Sequence, residues 1–445
     1  MLTVPRKSKF ESLKKLIHRR TVKSQLAIPG YFLLWLGMEP ETFEETAVEF
    51  GLKCFSYVSN IGVLNLCSEP PLEHASIQLS DIQLGVLSEA VVYATCVQFD
   101  VLPSELTGMH APLQRRWQAL VKAEYQRIRK LFEDNRPDVV LLLQGFEPQN
   151  AIARIAALEL GIEILAVENT ALENRFVWDR VSGLTNHNAA HQIYWRNKGR
   201  FASHVYQEYC QQLISDTKRL KCGDHTSPEH DAESSLSSDL VKPYVLFLGQ
   251  VYTDSSQVFG LRQWSSPLEV LRSCVRWCRQ HDLDLILKLH PKESSGVNPV
   301  DGRPYDKLTY RKIMADAELA EGLQQMNAVI DFDNQYDTYK LIDDASLAVT
   351  VNSQSGLEAA IRGVPVVVCG NASFGGLDFT FDAPQAEFFA PAMKAAIRSG
   401  KAHDSPATAV PRTNLACEFA YIFFEHYCRV KTPQGLLQLV QEVMP

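Results

Sequence analysis

Short apolar runs alternate with amphipathic, helix-like stretches along most of the chain, a pattern typical of parallel α/β sheets. In the first half the pattern predicts a strand at 31–36, a long helix at 113–135 and a strand at 138–145. A helix and a further strand, IEILAVE, then lead to Glu168. The second half repeats the alternation, with predicted strands at 244–250, 284–290, 328–332, 347–353 and 364–370 and predicted helices from Pro267 to His281, at 338–345 and from Gly356 to Ile361.

The composition changes between the two halves at CGDHTSPEHDAESSLSSD, where apolar residues are few and turn formers are frequent. The length of 445 residues also exceeds what one hydrophobic core usually serves. We therefore predict an α/β protein with two doubly wound, Rossmann-type domains that face a cleft. The predicted segments are a basic N-terminal stretch (1–25), a first α/β domain (26–221), a linker (222–239), a second α/β domain (240–410) and closing helices (411–445).

Composition and charge are those of a soluble globular protein and disfavour a general nucleic-acid binder, because the formal net charge is −8. Eight Lys and Arg residues against Glu11 give residues 1–25 a net charge of +7. Such a segment could contact an anionic membrane surface, although a solvated terminus fits the same charge. There is no apolar run long enough for a membrane span or a signal peptide, and the ten cysteines are scattered. We expect a cytoplasmic protein, at most peripheral to the inner face of the membrane.

The stretch VNSQSGLEAAIRGVPVVV reads as strand, sharp turn, short helix and strand. The polar turn holds Asn352, Ser353, Gln354 and Ser355, and the helix that follows begins with Gly356 and carries Glu358. Hydroxyl groups and backbone N–H groups at such a position suit an anion, but serines there also serve as ordinary helix caps. Glu358 could close a capping box with Ser355 or face a sugar hydroxyl beside a bound phosphate.

Three further loops place reactive side chains after predicted strands. The first two are KLHPK, with Lys288, His290 and Lys292, and FLGQVYTDSS, with Gln250 and Asp254. The third, VENTALENRFVWDRVSGLTN, begins at Glu168 and continues as a polar loop with Glu173, Arg175 and Asp179. Each feature alone also has a purely structural explanation. His290 could be a structural histidine, Asp254 a helix cap, and the Glu168 loop ordinary surface charge. Because strand carboxyl ends face a shared cleft, the loops together predict a sugar-transfer site.

In these motifs the chain resembles the capsular-polysaccharide biosynthesis family of bacterial glycosyltransferases. The resemblance rests on FLGQVYTDSS, KLHPK and VNSQSGLEAAIRGVPVVV, with weaker support from the Glu168 loop and from FAYIFFEHYCRV. It covers roughly residues 138–430. It implies a GT-B fold and transfer of Kdo from the donor CMP-Kdo to a glycan or a lipid-linked saccharide, with no metal and no other cofactor.

The resemblance also implies roles for individual residues. In that family the His-Pro and serine turns bind the CMP group, which places His290, Ser353 and Ser355 at the nucleotide and Glu358 at its ribose. Members that retain the β configuration use an aspartate of the Gln-Val-x-x-Asp loop as nucleophile, here Asp254. The other predicted substrate-binding residues are Gln250, Lys288, Lys292, Gln354 and Gly356.

A second carboxylate is expected to take the acceptor proton, and Glu168 is the first candidate. Relatives often show Gly and then Arg-Pro after this position, and ENTALENRF has neither, so Glu173 stays an alternative. Asp331 and Asp333 have the spacing of a GT-A metal pair, but a phosphate turn with His-Pro would make a metal redundant. Two other functions fit the motifs: an inverting CMP-sugar transferase of the sialyl type, and a non-catalytic subunit of polysaccharide assembly.

Overall fold

The computed structural model describes residues 27–29, 55–57, 81–145, 148–172, 174–180, 188–223, 243–298, 303–326, 328–400 and 412–443. The strands are β1 (Ala27–Pro29), β2 (Phe55–Tyr57), β3 (Val139–Leu143), β4 (Glu163–Asn169), β5 (Arg175–Asp179), β6 (Tyr244–Leu248), β7 (Asp284–Lys288), β8 (Ala328–Asp331), β9 (Leu347–Thr350), β10 (Val366–Val368), β11 (Phe381–Asp382) and β12 (Arg429–Val430). The basic stretch 1–25 and the predicted strand 31–36 lie outside the described residues.

The α-helices in the first half are Asp81–Phe99, Ala111–Asn135, Pro148–Glu159, Asn188–Asn197 and Ser203–Gly223. Those in the second half are Ser255–Gly260, Pro267–His281, Lys292–Ser295, Leu308–Ala315, Ala317–Gln324, Thr338–Asp344, Ser355–Ile361, Ala386–Ser399, Arg412–Tyr421 and Pro433–Val443. A π-helical turn, Ile422–Tyr427, continues the helix Arg412–Tyr421.

The second half is built on a six-stranded sheet of order β11-β10-β9-β6-β7-β8 in which every neighbouring pair is parallel. Its central strands are buried on both faces, which explains why they read as continuous apolar runs. The chain fills one side of β6 with β7 and β8 and then the other side with β9, β10 and β11. This reversal opens a crevice at the carboxyl ends of the strands, where the predicted loops lie.

The first half of the α/β fold contains antiparallel as well as parallel strand pairs. Its four-stranded sheet has the order β12-β5-β4-β3, and only β3 and β4 are parallel, while β5 and β12 run antiparallel. The stretch predicted as a polar loop, Arg175 to Asp179, forms β5, and Asp179 is buried. The charged residues at both ends of RFVWD made this stretch look like a loop in the sequence, although Phe176 and Val177 are fully buried in the strand.

The C-terminal segment contains a strand as well as the predicted helices. β12 joins the sheet of the first half, so the chain crosses back from the second half before the helix Pro433–Val443. The first two residues of the predicted linker, Cys222 and Gly223, end the helix Ser203–Gly223, and residues 224–239 lie outside the described chain.

Helices cover both faces of the six-stranded sheet because alternate residues of its strands point to opposite sides. Val245 and Phe247 pack on the face that holds the helix Pro267–His281. Tyr93, Cys96 and Val97 belong to the same cluster, so the helix Asp81–Phe99 of the first half completes this core. The other face packs the helices Ser355–Ile361 and Arg412–Tyr421.

The buried cluster on the first face includes Cys274 and Cys278, which therefore act as core residues. Within the described ranges, no helix is both long enough and apolar enough to cross a bilayer.

Candidate functional site

The turn after β9 leaves its serine hydroxyl groups available. Gln354, not a serine, is the N-cap residue of the helix Ser355–Ile361, and it makes no side-chain capping bond. Thr350 Oγ1 accepts a hydrogen bond from the backbone N–H of Ser353 at 2.9 Å, which fixes the turn. No hydrogen bond within the described chain engages Ser353 Oγ or Ser355 Oγ. The capping alternative therefore does not describe these two serines.

Glu358 does not close a capping box. Its Oε1 accepts a hydrogen bond from the Tyr339 hydroxyl at 3.2 Å, on the flank of the helix. Gly356 is buried, and a Cβ at this position would lie 2.7 Å from the ring of Phe374. Gly356 thus permits close packing of the helix under the turn.

Asp254, in the loop after β6, is the N-cap of the helix Ser255–Gly260. Its Oδ1 accepts hydrogen bonds from Ser256 N at 2.9 Å and from Ser256 Oγ at 2.7 Å. Its Oδ2 has no hydrogen bond from any residue in the described part of the chain, and the side chain is half-buried. One oxygen is therefore held in place while the other is left for a further partner. The hydroxyl of Thr253, the residue before Asp254, is buried and has no hydrogen-bond partner among the described residues.

Asn352 connects the Asp254 loop to the serine turn. Its Oδ1 accepts a hydrogen bond from Gln257 Nε2 at 2.6 Å and lies 3.2 Å from Ser256 Oγ. Its Nδ2 donates to the backbone carbonyl of Ser256 at 2.6 Å. Asn352 is buried, so these bonds are shielded from water and hold the two loops together. Gln257 gave no sequence signal, because its role depends on a residue 95 positions away.

His290 lies in the loop after β7, at the same edge of the sheet. Its Nδ1 accepts a hydrogen bond from the backbone N–H of Lys292 at 3.1 Å. In the neutral ring this bond assigns the hydrogen to Nε2, which is then a donor. Lys292 itself is exposed, whereas Gln250, in the neighbouring loop, is half-buried.

Lys288 ends β7, as predicted, but its side chain is engaged inside the fold. Its ammonium group is buried and donates to Asp331, Asn334 and the carbonyl of Tyr336. Burial lowers the pKa of Lys288, and the hydrogen bond and charge of Asp331 act in the opposite direction. Lys288 is a structural cation, contrary to the prediction that it contributes charge to a substrate phosphate. The same ion pair uses Asp331, the first residue of the Asp331-x-Asp333 motif.

Glu293, a buried carboxylate that the motifs did not predict, stabilises the loop that contains His290. Glu293 is fully buried and accepts hydrogen bonds from the backbone N–H and the hydroxyl of Thr309. Thr309 Oγ1 also lies 3.2 Å from the carbonyl of Gln250 and accepts a bond from Tyr252 N at 2.9 Å. Burial raises the pKa of Glu293, and the Thr309 bonds oppose that shift.

Glu168 is the sixth of the seven residues of β4, at the carboxyl end of the strand in the first half. Its Oε1 accepts a hydrogen bond from Gln144 Nε2 at 2.8 Å. Burial raises the pKa of the Tyr427 hydroxyl, and nearby carboxylates, Glu168 among them, add to that shift. The alternative residue, Glu173, lies outside the described residues.

The described site thus places three kinds of group at one edge of the six-stranded sheet. They are the Asp254 carboxylate, the hydroxyls of Ser353 and Ser355, and the imidazole of His290. Hydroxyl and imidazole donors of this kind bind phosphate oxygens, and a carboxylate beside them can attack an electrophilic carbon.

Comparison with known proteins identifies the class. The family model described as "Capsule polysaccharide biosynthesis protein" matches residues 168–402, more than half of the chain. The chain therefore belongs to the capsule polysaccharide biosynthesis protein family.

Two similar solved structures are KpsC proteins from Thermosulfurimonas dismutans. One, a beta Kdo 2,7 transferase, is 17% identical with a TM-score of 0.38, over 68% of this chain and 82% of that chain. The other, a beta Kdo 2,4 transferase, is 14% identical with a TM-score of 0.42, over 69% and 88%. UDP-GlcNAc 2-epimerase from Methanocaldococcus jannaschii is 10% identical with a TM-score of 0.31, over 76% and 96%. No curated protein sequence matches the chain.

Proposed function

We propose that the protein is a glycosyltransferase that moves Kdo from CMP-Kdo to a glycan or lipid-linked saccharide with retention of configuration. The observation that supports this proposal is the link made by Asn352, whose 2.6 Å bonds to Gln257 and to the carbonyl of Ser256 join the Asp254 loop to the serine turn. A nucleophile beside a phosphate-binding turn is what double displacement at a nucleotide sugar requires. The family to which the chain belongs is consistent with this chemistry.

The donor phosphate binds the hydroxyls of Ser353 and Ser355 and the imidazole of His290, and Glu358 binds the ribose. Asp254 Oδ2 attacks the anomeric carbon from the face opposite the nucleotide. The bond between that carbon and the phosphate oxygen breaks, and its electron pair leaves with CMP. The product of this step is a glycosyl ester on Asp254.

The acceptor hydroxyl then attacks the same carbon from the face that CMP has left. The ester bond to Asp254 breaks, the carboxylate is regenerated, and Glu168 takes the acceptor proton. Two inversions give net retention. Gln144 supports Glu168 in this role by donating a hydrogen bond to its Oε1 at 2.8 Å.

The decisive experiment replaces Asp254 with Asn. Asn is as good an N-cap residue as Asp, so the helix Ser255–Gly260 keeps its cap and the fold is unchanged. We expect transfer to fall by more than about a thousandfold, as for other lost nucleophiles, with CMP affinity nearly unchanged. Intact-mass spectrometry of the wild type with CMP-Kdo alone should show one added Kdo on the peptide that carries Asp254.

An Asp254→Asn enzyme that still transfers Kdo, or an adduct on another residue, contradicts the proposal. Transfer without any adduct and with inverted product would instead indicate an inverting transferase. Absence of CMP release with CMP-Kdo or a sialyl donor would indicate the non-catalytic subunit.

A further inference from the structure

Gln144, the residue that follows β3, has a backbone conformation that glutamine rarely adopts. Its φ angle is +60°, in the left-handed region, and Gly145 follows it with a φ angle of +98°. Glycine occupies this region without strain because it has no Cβ, whereas a glutamine there lowers the stability of the fold. The chain therefore keeps a strained residue at a position that a glycine would occupy more easily.

Helix ends account for the same conformation at two other residues, Arg136 and Asp282. Each is the C-cap residue of a helix, where the left-handed region is common. Gln144 instead lies at the carboxyl end of a strand, at the same edge of the sheet as Glu168 on β4. Backbone strain of this kind is concentrated at functional sites, so the side chain of Gln144 needs a functional explanation.

The contacts of Gln144 show what the strained residue does. Its backbone N–H donates to the carbonyl of Val167 at 2.9 Å, which ties it to β4. In the register of these parallel strands, Gln144 follows Leu143 as Glu168 follows its partner Val167. Gln144 Nε2 then donates to Glu168 Oε1 at 2.8 Å. A glycine here could keep the backbone bond but would lose the bond to Glu168.

The amide group of Gln144 also favours one charge state of Glu168. An N–H donor stabilises a carboxylate more than a neutral carboxylic acid, because a hydrogen bond to a charged oxygen is the stronger one. Both side chains are half-buried, which reduces competition from water for this bond. Gln144 therefore favours the ionised form of Glu168, which is the form that can accept a proton.

We propose that Gln144 is a positioning residue that holds Glu168 ionised and in place for the second step of transfer. This inference rests on the proposed function. In that step the acceptor oxygen bonds to the anomeric carbon, the ester bond to Asp254 breaks, and the acceptor proton moves to Glu168, which becomes a neutral carboxylic acid. Because Gln144 acts through Glu168, its loss should slow this step and leave formation of the glycosyl ester unchanged.

The test compares Gln144→Gly and Gln144→Asn with the wild type. Glycine removes the strain and the amide together, whereas asparagine tolerates the left-handed region but has a side chain one carbon shorter. We expect kcat for Kdo transfer to fall by at least roughly tenfold in both variants, with the KM for CMP-Kdo nearly unchanged. The acidic limb of the pH profile of kcat should move to higher pH by about one unit, since the charged form of Glu168 loses its donor.

Arg136→Gly is the matched control, because it also replaces a left-handed residue by glycine and the Arg136 side chain is exposed. Its kcat and pH profile should equal those of the wild type. Thermal unfolding should place both glycine variants close to the wild type, so that lost transfer in Gln144→Gly does not come from unfolding. Mass spectrometry with CMP-Kdo alone should still show the Kdo adduct in Gln144→Gly.

A wild-type kcat and pH profile in folded Gln144→Gly overturns this inference and leaves the proposed function intact. A lower kcat with an unmoved pH profile also overturns it, because a purely structural role of Gln144 predicts that result. If Gln144→Gly does not fold, the same measurements on Gln144→Asn decide. A wild type that forms no Kdo adduct and transfers no Kdo contradicts the proposed function, and the inference fails with it.

Discussion

His290 shows how one side chain can serve the fold and a ligand with different atoms. Its Nδ1 accepts the Lys292 N–H and so shapes the turn after β7, while Nε2 is the donor of the neutral ring. The structural reading of a strand-end histidine and the functional one therefore do not exclude each other. Asp254 repeats this division, because Oδ1 caps a helix and Oδ2 has no such bond within the described chain.

We expect His290→Ala to weaken CMP binding by about 1.5–3 kcal/mol, because a hydrogen bond to a charged phosphate oxygen is lost. His290→Asn is the informative comparison, since its side-chain oxygen can replace Nδ1 as acceptor for Lys292 N–H but offers no equivalent of Nε2. Calorimetry should show weakened CMP binding for both variants, with the smaller loss of thermal stability for Asn. Unchanged CMP affinity in His290→Ala would remove this residue from the site.

At the scale of elements, the loop after β6 and the turn after β9 behave as one unit because Asn352 joins them. Parallel strands bring these loops to the same edge of the sheet, but strand order alone does not fix the distance between them. The buried amide of Asn352 does so with one donor and one acceptor group.

Asn352→Ala should lower the free energy of unfolding by about 2 kcal/mol, because the buried groups of Gln257 and Ser256 lose their partner. It should also reduce the rate of Kdo transfer more than it reduces CMP affinity, since the nucleophile loses its position. Asn414→Ala is the control. Asn414 Oδ1 accepts a hydrogen bond of 2.9 Å from Gln207 Nε2, and neither residue belongs to these loops. Urea unfolding and steady-state kinetics measure both effects, and a normal transfer rate in Asn352→Ala would show that the link is not needed for catalysis.

At the scale of the whole molecule, several polar contacts join the two halves of the chain. His191 Nε2, on the helix Asn188–Asn197, lies 3.0 Å from the carbonyl of Ser373 in the second half. Arg175 on β5 forms an ion pair with Glu425 at 2.8 Å. The strand β12 adds the C-terminal segment to the sheet of the first half.

The burial of His191 makes the free energy of unfolding depend on pH. Burial lowers the pKa of His191 below its ordinary value of 6.5, so the unfolded chain binds this proton at a higher pH than the folded protein does. The free energy of unfolding should therefore fall as the pH falls through 6.5. His191→Gln can still donate to Ser373 but does not titrate, so its urea midpoint should change less over this range. Equal pH dependence of the two proteins would contradict this assignment.

The sequence by itself determined the elements whose signals are local. The helix from Pro267 to His281 begins and ends where predicted, because Ser266 caps it, proline occupies its first position and its apolar spacing is regular. The buried strands β6 and β7 were predicted as well, although each ends two residues before its predicted boundary. The loops that carry Asp254, His290 and Ser353 were found for the same reason, since each follows such a strand.

Only the tertiary structure decided what these loops contact. The strand β5 was missed because its stability comes from pairing with β4 and with β12, which lies about 250 residues further along the chain. Lys288 appeared to be a free cation until Asp331 was placed beside it, and Asn352 appeared to be one more polar turn residue until Gln257 met it. Periodicity records which face of an element is apolar, whereas these pairings arise from the packing of distant segments, which a one-dimensional pattern does not contain.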